Sequence, residues 1–178
     1  MLKITSGTFG GQSIVQPKTT LTRPVSEQTR HAIFQVLGDV EGLTVLDLFA
    51  GSGALGLEAL SLGVSSAVFV DSGQVAVEAI KTSIHSLKVT STAKVVKSSV
   101  EKFLEMNTEK FDLIFFDPPY AKFGLDSLKQ ALNHLNPTGI TIVSCSSKSD
   151  LPEIAGSAKL VKQKVYGDTQ IGYYRSME

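Results

Sequence analysis

The sequence predicts an α/β protein with a mostly parallel, twisted sheet, helices on both faces, an antiparallel C-terminal hairpin, and a small N-terminal β-hairpin and helix. Three observations carry that prediction. From residue 43 onward, apolar runs alternate with helical stretches, the pattern of βαβ units. These runs are continuously apolar, as strands buried on both faces are. The last two strand-like runs are separated only by Gly167-Asp168, a tight-turn pair that calls for an antiparallel hairpin.

Taken in order, Leu2-Lys3-Ile4-Thr5 alternates like a strand, and Gly7 with Gly10-Gly11 supplies a turn before Ser13-Ile14-Val15. Residues 16–22, with Pro17 and several threonines, read as a loop. Ser26-Glu27 opens a helix whose Ala32, Ile33, Val36 and Leu37 share a face, and Gly38 ends it. Strands follow at 43–48, 67–70, 93–96, 111–116 and 139–144, with helices at 54–62, 75–87, 100–106 and 125–135. The runs 159–166 and 169–175 make the hairpin. The division is an appendage over residues 1–40 and one α/β domain over 41–178.

Composition bounds the function. The 178 residues are 42% hydrophobic, with 17 basic and 17 acidic side chains, which excludes a disordered tail or an acidic scaffold. No apolar run reaches the ~20 residues of a membrane span, and the start lacks a signal-peptide core. The single cysteine, Cys145, excludes an internal disulfide or a cysteine zinc cluster, so a cytoplasmic location is expected. His31, His85 and His134 share no ligand spacing, and no metal is expected. Zero net charge speaks against binding nucleic acid by bulk electrostatics, but the charge is uneven. Lys3, Lys18, Arg23 and Arg30 face only Glu27 among the first thirty residues. Lys18, Arg23 and Arg30 are therefore candidate phosphate contacts, whereas Lys159, Lys162 and Lys164 read as a solvated strand face.

Gly51, Gly53 and Gly56 stand at Gly-x-Gly-x-x-Gly spacing where the first sheet strand meets its helix. Backbone without Cβ there lets a nucleotide-sized ligand approach and the helix pack close. Two acids sharpen the signal: Asp47 four residues before the first glycine, and Asp71 directly after Val68-Phe69-Val70. Asp71 is placed to accept hydrogen bonds from ribose hydroxyls. A carboxylate at Asp47 would repel a pyrophosphate at the helix N-terminus but suit an ammonium. S-adenosyl-L-methionine carries such an ammonium and a ribose, so charge favours it over a dinucleotide.

Asp117-Pro118-Pro119-Tyr120 ends the strand Phe111-Asp112-Leu113-Ile114-Phe115-Phe116. Two prolines stop ladder pairing and hold stiff carbonyl acceptors at the carboxyl edge of the sheet. An exocyclic base amine is a poor nucleophile because its lone pair is delocalised. The Asp117 carboxylate and a carbonyl such as that of Pro118 can hold both amine hydrogens and free that lone pair. Tyr120 would stack on the base, with Phe123 either extending that wall or packing under the next helix. A base that enters such a pocket leaves its stack.

With these residues in hand, the chain resembles the bacterial RsmD-type 16S rRNA guanine-N2 methyltransferases. The resemblance rests on DLFAGSGALGLEAL, VFVD and FFDPPY, on Leu2-Lys3-Ile4-Thr5-Ser6-Gly7 and Thr22-Arg23-Pro24 with Arg30, and on Tyr166-Gly167-Asp168-Thr169. It implies a Rossmann-like methyltransferase, S-adenosyl-L-methionine as donor, and guanine N2 of 16S rRNA, free or in a small-subunit assembly particle, as acceptor. By that resemblance Asp117, Pro118, Pro119 and Tyr120 are catalytic. Asp47, Phe49, Ala50, Gly51, Gly53 and Gly56 hold the cofactor, together with Asp71, Ser72, Ser99, Val100 and Asp117. Lys18, Arg23, Arg30 and Phe123 contact RNA. Three features depart from the family: Thr8-Phe9-Gly10-Gly11-Gln12 lacks its usual arginines, Ser99 stands near its usual Asp or Asn, and Ser72-Gly73-Gln74 replaces a charged turn. The alternatives are an adenine-N6 methyltransferase acting on RNA or DNA and a cofactor-binding module without catalysis; a protein-glutamine methyltransferase would carry Asn in place of Asp117. A monomer is expected.

Overall fold

The computed structural model describes residues 2–18, 25–119 and 123–177. Among these residues the main sheet has eight strands in the order β5-β4-β3-β6-β7-β10-β9-β8. The parallel part is β3 (Thr44–Leu48), β4 (Ser66–Asp71), β5 (Ala93–Lys97), β6 (Phe111–Phe116) and β7 (Leu135–Ser146). β10 (Thr169–Ser176) runs antiparallel between β7 and β9 (Ala158–Tyr166), and β8 (Ile154–Ala155) closes that edge. A separate two-stranded piece pairs β1 (Leu2–Lys3) with β2 (Ser13–Ile14).

Continuous apolar strands bury both faces. On one face α1 (Glu27–Leu37), α2 (Ala54–Ser61) and α3 (Gln74–Ser86) pack Ile33, Phe34, Leu57 and Ile80 against Val45, Phe69 and Phe115. On the other, α4 (Val100–Met106) and α5 (Leu125–Leu132) pack Leu104, Leu128 and Leu132 against Leu46, Leu48 and Phe116. The chain runs from β3 outward through β4 to β5, then returns to lay β6 on the other side of β3. Strand order therefore reverses between β3 and β6, and the crevice outside their carboxyl ends is where such sheets bind ligands. Among the described residues no helix is long and apolar enough to cross a membrane.

Most predicted elements form, with α1 capped as its sequence suggests: Ser26 Oγ accepts from Thr29 N at 3.1 Å. The Gly38 N–H donates to Phe34 O at 3.0 Å, with Gly38 at φ 75°. Boundaries differ around α5. It stops at Leu132, and β7 starts at Leu135, because Phe111 pairs with Leu135 across an irregularity in the ladder and its N–H donates to His134 O at 2.8 Å. The two-residue β8 was not foreseen.

Arg30 corrects the sequence reading. It is fully buried, not an RNA contact. Its guanidinium donates to Lys3 O at 2.6 Å and to Val25 O at 3.0 Å, and its Nε lies 3.8 Å from Glu58 Oε2. The Glu58 carboxylate in turn accepts from Thr5 N, Thr5 Oγ1 at 2.6 Å and Ser6 N at 2.7 Å. Burial lowers the Arg30 pKa, and the Glu58 charge opposes that. This pair ties the N-terminal segment to α2, and Leu2, Ile4 and Ile14 join the core beside Phe34. Arg23 lies outside the described residues.

Candidate active site

The loop after β3 is set by its own backbone bonds. Phe49 sits at φ 59°, a left-handed conformation that costs a bulky residue about 1–2 kcal/mol. It is held there by its neighbours: Ala50 N donates to Val70 O at 3.1 Å and Gly53 N to Ala50 O at 2.7 Å. Asp71 closes the arrangement from β4. One of its oxygens accepts from Gly51 N at 2.9 Å and the other from Gly73 N at 2.8 Å. A carboxylate has about four lone-pair sites, so each oxygen keeps one for a ligand.

Gly53 and Gly56 serve packing. Gly53 caps α2 at φ 72°, and a Cβ on Gly56 would overlap the Phe69 ring. The Gly56 N–H donates to Asp47 Oδ2 at 3.0 Å. Asp47 is only 2% exposed; burial pushes its pKa well above the usual carboxylate range, and the Asp117 and Asp71 charges push it the same way. It lies beneath the loop and is not on the wall of the cavity beside it.

That cavity, of about 390 Å³, opens at the carboxyl edge of β3, β4 and β5. Of the residues read from sequence as cofactor-binding, Phe49, Gly51, Asp71, Ser72, Ser99 and Val100 line it. Ala50, Gly53, Gly56 and Asp117 do not. Ser99 also caps α4, its Oγ accepting from Lys102 N at 3.3 Å. Pro119 and Lys18 line the cavity as well, so Lys18 stands at the cofactor-sized space and not only on a remote RNA arm. Sequence reasoning missed Gly73, Gln74, Val75, Ala76 and Glu101. Val75 carried a signal, an apolar residue at the start of a helix four positions after the ribose-type acid; it is 54% exposed. Gln74 is held at the rim by Lys97 Nζ at 2.6 Å and donates to Glu78 at 2.8 Å.

Beside the cavity, β6 ends at Phe116, level with Leu48 of β3 and Val143 of β7. Asp117 follows half-buried, Pro118 buried and Pro119 half-buried. Burial pushes the Asp117 carboxyl up to about 6, and a hydrogen bond with the Ser144 side chain opposes the rise. Tyr120 lies outside the described residues. Phe123 is half-buried, with its ring edge-on to Phe116 at 6.4 Å between centroids, while Phe49 meets Phe116 edge-on from 5.4 Å. Of the two roles open to Phe123, this contact is the packing one.

A parallel sheet with antiparallel last strands, a glycine loop and an acid at the β4 end, and Asp-Pro-Pro at the switch point define a Rossmann-like methyltransferase. A family model described as "Conserved hypothetical protein 95" matches residues 2–175, and the chain belongs to that family, the RsmD family. It is 32% identical over 181 residues to "Putative rRNA methyltransferase YlbH" of Bacillus subtilis, covering 98% of both chains. It is 29% identical to "Ribosomal RNA small subunit methyltransferase D" of Escherichia coli K12, covering 98% of this chain and 89% of that one. Among solved structures, "Putative methyltransferase yhhF from Escherichia coli" superposes with a TM-score of 0.88 at 26% identity, covering 98% of this chain and 97% of that one.

Proposed function

We propose that the protein methylates the exocyclic N2 amine of a guanine in 16S rRNA, using S-adenosyl-L-methionine. The observation that carries this reading is the Asp117 carboxyl, set beside two prolines at the switch-point edge and adjoining a cavity with a ribose-type acid. The names of the relatives support a small-subunit rRNA substrate, which would place the protein in the cytoplasm.

The residues present fit the cofactor. Asp71 keeps lone pairs for a ribose diol, and Phe49, Val75, Val100 and Pro119 offer apolar surface for an adenine. Asp47, beneath the loop, would serve the site by bracing the Gly56 N–H and not by touching the cofactor. When bound, S-adenosyl-L-methionine supplies a methyl group on a sulfonium. The chain's part is alignment and proton handling. Above about pH 6 the Asp117 carboxylate is ionised and accepts one amine hydrogen, with the Pro118 carbonyl accepting the other. The nitrogen lone pair is then aimed at the methyl group, and the proton lost on methylation passes to Asp117. Residues 1–40 would present Lys18 and Arg23 to RNA phosphates, and Tyr120 would stack on the base.

An Asp117→Ala variant tests this. Expressed in cells lacking the native enzyme, it should leave the RNA unmodified while still binding S-adenosyl-L-methionine. Unchanged modification would remove Asp117 from the chemistry.

A further inference from the structure

We propose that Ser144, at the end of β7, is a positioning residue for methyl transfer whose hydroxyl holds the Asp117 carboxylate oriented and ionised as the amine acceptor. The inference rests on the reading that Asp117 receives the amine hydrogens.

The register makes the two residues neighbours. β6 and β7 are parallel, and Phe116 is level with Val143. The next residues along, Asp117 and Ser144, therefore lie side by side and project to the same face. Ser144 is 4% exposed, and its side chain hydrogen-bonds the Asp117 carboxyl. On its other flank Ser144 is level with Ile171 of β10, fully buried and without a polar side-chain atom. A buried hydroxyl with a carboxylate on one side and a hydrocarbon on the other directs its proton to the carboxylate.

The surroundings make that donor count. Asp47 from β3 and Cys145 from β7 interact electrostatically with Asp117, and Asp71 of β4 acts on Asp47. Ionised, each of these groups would oppose a charge on Asp117. Glu101 at the start of α4 and Lys18 line the cavity where Pro119 enters it. Burial favours the protonated carboxyl, so a fixed hydroxyl donor is what moves the balance back toward the ionised form.

The test compares the intact protein with Ser144→Ala and Ser144→Thr, with Asp117→Ala as a control. Two quantities are read: kcat against pH, with labelled S-adenosyl-L-methionine and undermethylated small-subunit particles, and the Asp117 carboxyl titration by carbon-13 NMR. Loss of one hydrogen bond to a carboxylate is worth about tenfold in the ionisation equilibrium. Ser144→Ala should therefore titrate higher and lose kcat most near pH 6, recovering by pH 8.5 with KM for S-adenosyl-L-methionine unchanged. Ser144→Thr should restore the profile. A uniform loss of kcat at all pH values, or an unmoved carboxyl titration, would overturn the role given to Ser144 while leaving Asp117 in place. Full activity in Asp117→Ala would instead overturn the reading on which it rests.

Discussion

Replacing Asp117 by Asn should make the protein more stable, and by an amount that depends on pH. The carboxyl titrates at about 6 in the fold against an ordinary 3.8. Between those values the folded state binds more protons than the unfolded chain, so stability falls as pH rises through this window. Below about pH 4 both states are protonated and Asp117 is neutral in its effect. Above about pH 6 the full penalty applies, ~3 kcal/mol at about 1.4 kcal/mol per pH unit. Asn cannot ionise, and Ser144 can still donate to its amide oxygen. Removing the Asp117 charge also relieves Asp47, whose own pKa it raises, and that adds to the gain in the same direction. Urea unfolding at pH 8 and at pH 4 measures the difference. Asp117→Asn should be more stable by at least ~3 kcal/mol at pH 8, and the gap should close at pH 4. Equal stability at pH 8, or a gain that does not vary with pH, would refute the buried-carboxyl account. Activity should fall in the same variant, the usual exchange at a site that keeps a destabilised group for its chemistry.

Arg30→Ala removes one partner of a buried ion pair and should lower unfolding stability by about 3–5 kcal/mol, leaving the salt dependence of RNA binding unaltered. A flattened salt slope with intact stability would return Arg30 to the RNA surface. Gly56→Ala drives a Cβ into the Phe69 ring and should lower thermal stability by about 1–3 kcal/mol, read by calorimetry. Asp71→Ala should weaken S-adenosyl-L-methionine binding about 10–100-fold by isothermal titration. That variant also frees Gly51 N and Gly73 N, so its circular dichroism should be checked against the intact protein.

The parallel sheet was legible because β3, β4 and β6 are buried on both faces and so spell continuous apolar runs. The final hairpin was legible through Gly167-Asp168. What escaped the sequence was mostly which way a side chain points. Arg30 lies on a helix whose first turn looks polar, and nothing local says that Glu58, 28 positions later, waits behind it. Asp47 was placed correctly at the strand end, but its pleat sends it under α2 to Gly56 and not to the cavity wall. Lys18 lines the cavity a few residues after Ile14 enters the core and Val15 N donates to Ser83 Oγ of α3, long-range contacts that no local pattern announces. β8 has two residues, too few to show a period. Ser144 looked like any small residue at a strand end, and only the β6–β7 register puts it against Asp117.

The proposed chemistry turns on which atom is methylated. Purified protein, labelled S-adenosyl-L-methionine and undermethylated small-subunit particles are incubated, the RNA is digested to nucleosides, and the labelled product is separated and identified by mass spectrometry. Label is expected in N2-methylguanosine, and absent when Asp117→Ala replaces the intact protein. Label in N6-methyladenosine, or on protein with none in RNA, would contradict this expectation.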